Sequence, residues 1–110
     1  MLLEPISADT AHERRRARLA RALCAVEGAD EMEAFLVDLC TPQELRALSE
    51  RWHVAQLLER GEDSYREINA KTGVSTTTVG RVARFLREEP HGGYRRVLAK
   101  LRGDQGDGDE

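Results

Sequence analysis

The chain has 110 residues, 40% apolar by type and 5% aromatic, with 34% charged and a formal net charge of −3. That length suits one domain, the scarce aromatics leave a thin core that a partner copy would complete, and no apolar run nears the roughly 18 residues that span a bilayer. The N-terminus carries no basic-then-apolar signal pattern, so a cytoplasmic protein is expected, with no membrane association.

Residues 1–6 show no periodicity and are expected to be flexible. Ser7 or Asp9 can cap a first helix running to about Glu27, with an apolar stripe of Leu19, Leu23 and Val26, and Gly28 ends it. Asp30 is then read as the cap of a short second helix, in which Met32, Phe35, Leu36 and Leu39 follow the i, i+3, i+4, i+7 spacing of one helical face. Thr41-Pro42-Gln43-Glu44 combines a capping threonine, a proline suited to the first helical position and a glutamate that can reach back. It starts a third helix whose stripe is Leu45, Leu48, Trp52, Ala55 and Leu58, closed by Gly61. Trp52 reads as a core or dimer anchor.

Ser64-Tyr65-Arg66-Glu67 is a second capping box and opens a helix of barely two turns that ends near Thr72-Gly73. Ser75 caps the next, through Val79, Val82, Phe85 and Leu86, and Pro90 with Gly92-Gly93 terminates it. A last helix from about Tyr94 to Leu101 is expected to bury Val97, Leu98 and Leu101. No run alternates with period two, so the fold class is all-α, with about six helices in one domain over residues 7–102. The segment 103–110, GDQGDGDE, is acidic and glycine-rich and is expected to be disordered.

Charge is segregated along this order of elements. Residues 27–63 hold ten acids and three Lys/Arg, a net of −7, whereas residues 64–102 hold three acids and nine Lys/Arg, a net of +6. The basic block coincides with SYREINAKTGVSTTTVGRVARFL, two short helices around a glycine corner, the pattern of a helix-turn-helix spanning about residues 64–86. Ile68, Val74, Val79 and Val82 supply its seam. With that seam buried, the second helix can present short hydroxyls and arginines to base edges and phosphates. The candidate contacts to double-stranded DNA are Arg66, Asn69, Ser75, Thr76, Thr77, Thr78, Gly80, Arg81 and Arg84. Arg66 among them, together with Lys71, Arg87, Arg95, Arg96 and Lys100, is a candidate for phosphate anchoring, which sets register without reading sequence.

Other chemistry finds little support. Cys24 and Cys40 lack metal or redox spacing and read as small buried apolar residues. His12, His53 and His91 fall in three segments with no partner at catalytic spacing, and no phosphate loop appears. No enzyme, no metal and no cofactor are therefore expected.

The stretch LCTPQELRALSERWHVAQLLERGEDSYREINAKTGVSTTTVGRVARFL resembles the tryptophan-repressor superfamily, and the closing GGYRRVL is similar to its YerC/YecD-type branch. The likeness covers about residues 36–101: the threonine-proline helix start, LLERGE and the helix-turn-helix occur in the family's order and spacing. It implies an intertwined homodimer that exchanges outer helices and sets two recognition helices in successive major grooves. It also implies a small-ligand pocket at Thr41, Arg51, Arg81, Val82 and Phe85. In the repressor, tryptophan lies between the two arginines that Arg51 and Arg81 match, near the residue that Thr41 matches. Val82 and Phe85 stand where the repressor has glycine and serine, so a branched side chain and a ring fill the indole slot. The expectation is a sequence-specific transcriptional regulator, a repressor on a two-fold operator, that does not use tryptophan; another small effector is left open. The alternative is a helical protein-interaction module whose basic face docks an acidic protein.

Overall fold

The computed structural model describes residues 8–105; residues 1–7, the candidate cap Ser7 among them, and the last five residues of the acidic tail lie outside the described residues. Six helices follow in chain order: α1 (Ala8–Ala25), α2 (Gly28–Leu39), α3 (Pro42–Arg60), α4 (Tyr65–Thr72), α5 (Thr76–Arg87) and α6 (Gly93–Gln105). The fold is all-α, with no strand among the described residues. The chain divides into two compact units, Met1–Pro42 and Gln43–Glu110.

In the first unit, α2 starts earlier than the sequence suggests. Glu27, not Asp30, occupies the capping position, and the Glu31 carboxylate accepts a hydrogen bond from the Glu27 amide at 2.6 Å. That reach-back satisfies one of the donors that a helix start leaves open, which the shorter Asp30 was expected to do. Gly28 has the positive φ (+82°) that glycine alone adopts freely. The apolar stripe of α2 forms as read, yet no residue of α2 is buried. Cys24 is exposed and Cys40 half-buried, both as free thiols, so neither is the core residue it was taken for.

Among the described residues, the buried hydrophobic core lies in the second unit. Val54, Ala55, Leu57 and Leu58 of α3, Ile68 of α4, Val74 of the corner, Val79, Val82, Ala83 and Leu86 of α5 and Leu98 of α6 form one cluster. Each fully buried Ile or Val contributes about 1.5–3 kcal/mol, so Ile68, Val79 and Val82 are what press α4, the corner and α5 together. Only Ala55 and Leu58 of the expected α3 stripe are buried. Leu48 is 44% exposed, and Trp52 packs at the edge, its ring stacked on Tyr94 at 6.4 Å between centroids.

α6 departs from expectation in two ways. Val97 (47% exposed) and Leu101 face outward and only Leu98 is buried. The helix also runs on to Gln105, so the first three residues of the segment expected to be disordered are helical. An ion pair between Arg102 of α6 and Glu59 of α3 ties down that last part of the helix.

Candidate nucleic-acid interface

The corner between α4 and α5 is fixed by short-range hydrogen bonds. Ser64 accepts from the Glu67 amide at 3.1 Å while the Glu67 carboxylate accepts from the Ser64 amide at 2.7 Å, a reciprocal cap that starts α4. Gly73 ends α4 at φ +79°, a conformation that costs other residues, and its amide donates to the Asn69 carbonyl. The Thr72 hydroxyl donates to the Ile68 carbonyl at 2.7 Å and accepts from the Val74 amide at 3.0 Å. The Asn69 side-chain amide donates to the Val74 carbonyl at 2.9 Å, spanning the corner.

α5 then begins at Ser75, whose hydroxyl accepts from the Thr78 amide at 3.1 Å and donates to the Thr78 hydroxyl at 3.2 Å. Its inner face is Val79, Val82, Ala83 and Leu86, all buried. Residues three and four apart share a helix face, so Thr77, Arg81 and Arg84 line up opposite that seam, and all three are exposed. Thr76 is exposed beside them, and Gly80 flanks the strip; a Cβ built there would meet no heavy atom of the rest of the protein within 4 Å.

The candidate contacts therefore divide. Thr76, Thr77, Gly80, Arg81 and Arg84 form one outward surface on α5, and Arg66 is exposed on α4 with no ion-pair partner among the described residues. Ser75 and Thr78 have their hydroxyls engaged in the cap, and Asn69 has its amide engaged in the corner.

Several of the basic residues read as phosphate anchors are occupied by the protein itself. Lys71 pairs with Asp63 at 2.9 Å. Arg95 donates to the Leu86 carbonyl at 2.5 Å, Arg87 to the Leu58 carbonyl at 3.3 Å and Arg96 to the His91 carbonyl at 3.2 Å. The first two receivers lie in the last turns of α5 and α3, where a cation suits the helix dipole; the Leu58 carbonyl also accepts from the Gly61 amide at 3.1 Å. Sequence reasoning saw their charge and missed these receivers, because the donor and acceptor are 9 to 29 residues apart.

The four pocket residues of the second unit, Arg51, Arg81, Val82 and Phe85, differ in their surroundings. Thr41 is exposed just ahead of α3, in the first unit, and Val82 is a core residue at 1% exposure. Arg51 is half-buried and pairs with no carboxylate among the described residues. Phe85 carries the Arg81 guanidinium over its ring at 4.2 Å and the Arg84 guanidinium at 5.1 Å. The other neighbour of that ring is His91, stacked at 6.0 Å, and the two border an apolar hollow of about 510 Å³ with Trp52, Gly93, Tyr94 and Val97.

Among known proteins, residues 16–102 match the family described as Trp repressor protein. An uncharacterized protein YerC of Bacillus subtilis (strain 168) is 36% identical over 69 residues, 63% of this chain, which spans 65% of that protein's length. The crystal structure of a TrpR-like protein from Eubacterium eligens superposes with a TM-score of 0.73 at 35% identity, covering 88% of this chain and 94% of the other. With the family match running from within α1 into α6 and the helix-turn-helix in its place, the chain belongs to the Trp repressor protein family.

Proposed function

We propose that the chain is a sequence-specific DNA-binding transcriptional regulator, a repressor that acts as a homodimer on a two-fold operator and does not use tryptophan as co-repressor. The observation that carries the reading is the outward strip of α5, Thr77, Arg81 and Arg84, set opposite a fully buried seam and started by a side-chain cap. The Thr77 hydroxyl with that of neighbouring Thr76, Arg81 in the N-terminal half of α5 and Arg84 in its last turn are groups that base edges and phosphates in a major groove can receive. Membership of the Trp repressor protein family supports it.

Dimerisation is supported by surfaces that a lone chain leaves wet. Nothing in α2 is buried although its stripe is apolar, and Val37 (63%) and Leu39 (47%) stand exposed. Apolar area left in water at that scale favours a partner, and a second copy of the chain supplies two recognition helices related by a two-fold axis. The reading without tryptophan rests on Phe85 and Val82: the ring lies beneath Arg81, and the valine is a core residue rather than a gap.

Selection of bound duplexes from a random DNA pool tests the proposal. The expected result is a palindromic site with half-sites about one helical turn apart, and affinity that falls with salt by about one logarithmic unit of slope per phosphate contact. No sequence preference and a flat salt response would refute it and favour a protein-docking module.

A further inference from the structure

We propose that Phe85 is a positioning residue for DNA recognition, its ring serving as the platform that holds the Arg81 and Arg84 guanidinium groups at the outward strip of α5. The inference rests on the DNA-binding reading above and adds a role that the sequence assigned differently, since Phe85 there only fills a ligand slot.

Phe85 sits on the flank of α5 between the buried seam and the exposed strip, and it is half-buried. Arg81, four residues earlier, and Arg84, one residue earlier, bring their guanidinium carbons to 4.2 and 5.1 Å from the ring centroid. Both distances lie within the range at which a guanidinium is attracted to the negative face of an aromatic ring. The ring itself is held: the His91 imidazole stacks beside it at an interplanar angle of 14°, and it borders the apolar hollow with Trp52, Tyr94 and Val97. A ring stacked with His91 and bordering the hollow can restrain two flexible side chains that would otherwise sweep many rotamers in water.

The two arginines are not restrained equally. Arg84 has a second hold, the Glu89 carboxylate at 3.6 Å from its Nε, and Glu89 also lies 3.6 Å from the His91 Nε2. Arg81 has no ion-pair partner among the described residues, so the ring is its one restraint. A side chain already ordered loses less freedom on meeting guanine or phosphate, so affinity carried by Arg81 depends on the ring more than affinity carried by Arg84. The hydrophobic contribution of Phe85 is separable from this, because leucine retains an apolar filler without a ring face.

The test compares wild type, Phe85→Leu and Phe85→Tyr, with the duplex selected by the wild-type protein as probe. In the free wild-type protein, the side-chain protons of Arg81 are expected upfield of their random-coil positions in the NMR spectrum, from the ring current beneath them. Phe85→Leu should abolish that shift and weaken binding by about 5- to 20-fold, the cost of ordering Arg81 and part of that of ordering Arg84 at the moment of binding, while Phe85→Tyr keeps both contacts. In an Arg81→Ala background, Phe85→Leu should cost markedly less, a coupling that loss of packing alone would not produce.

Random-coil Arg81 shifts in the wild type, or equal affinity of Phe85→Leu and wild type, would overturn the inference. So would a Phe85→Tyr variant that folds and binds as weakly as Phe85→Leu. A wild-type protein that selects no duplex counts against the functional reading itself, and the Arg81 shifts then decide the platform on their own.

Discussion

Gly80 lies in the middle of α5, where glycine costs about 1 kcal/mol relative to alanine because it surrenders more backbone freedom on folding. No internal packing requires it: a Cβ placed on Gly80 would meet no heavy atom of the rest of the chain within 4 Å, and its φ is not in the left-handed region. Gly80→Ala should therefore stabilise the protein by about 1 kcal/mol, which for a domain of this size raises the thermal midpoint by roughly 4–8 °C. If α5 enters a groove, the bare backbone at Gly80 marks where DNA comes closest, and the added methyl should weaken binding at least tenfold, about 1.4 kcal/mol. Calorimetric melting and fluorescence anisotropy on a selected duplex read the two effects separately. Opposite signs are expected. A variant that melts higher and binds as tightly as wild type would show that this flank of the helix does not approach DNA.

Three further outcomes follow from the corner and the strip. Asn69→Ala should lose about 1 kcal/mol in urea unfolding, since the Val74 carbonyl loses its donor, and Asn69→Asp should do no better because a carboxylate cannot donate; unchanged midpoints would remove the corner bond from the account. Ser75→Ala should cost about 0.5–2 kcal/mol, whereas Ser75→Asp should keep stability, as aspartate caps equally well, and yet lose DNA affinity through repulsion of phosphate. Thr77→Ala should change preference among duplexes in a pool, while Arg84→Ala should weaken all of them and reduce the salt slope by about one; two variants indistinguishable from wild type would refute the placement of this strip.

What the sequence conveyed best was whatever is decided within one helical turn. The Ser64–Glu67 box, the Ser75 cap and the Gly73 corner depend on partners three or four residues away, and the hydrophobic spacing located Ile68, Val74, Val79 and Val82 in the seam. The start of α2 was misplaced because Asp30 and Glu31 are both plausible carboxylates near a helix start, and only backbone geometry shows that the longer one reaches the Glu27 amide.

The candidate site was legible in outline and not in its allocation. Net charge located the basic block, but charge does not reveal that Arg95, Arg87 and Arg96 are turned onto carbonyls. Threonine spacing at the cap could not tell the engaged hydroxyls of Ser75 and Thr78 from those of Thr76 and Thr77. The role of Phe85 was hidden for the same reason, since its contacts with His91 and the hollow depend on how α5 and α6 pack. Outward Val97 and Leu101 belong here too: an apolar residue in an amphipathic helix reads as buried whether the surface beside it belongs to its own chain or to none.

Backbone amide chemical-shift mapping during titration with a selected duplex addresses the placement of α5 most directly. Large perturbations should cluster from Ser75 to Arg84 and at Arg66, with the core amides of Val54 to Leu58 nearly unmoved. Perturbations confined to α1 and α2, with the amides of α5 unchanged at saturation, would contradict it.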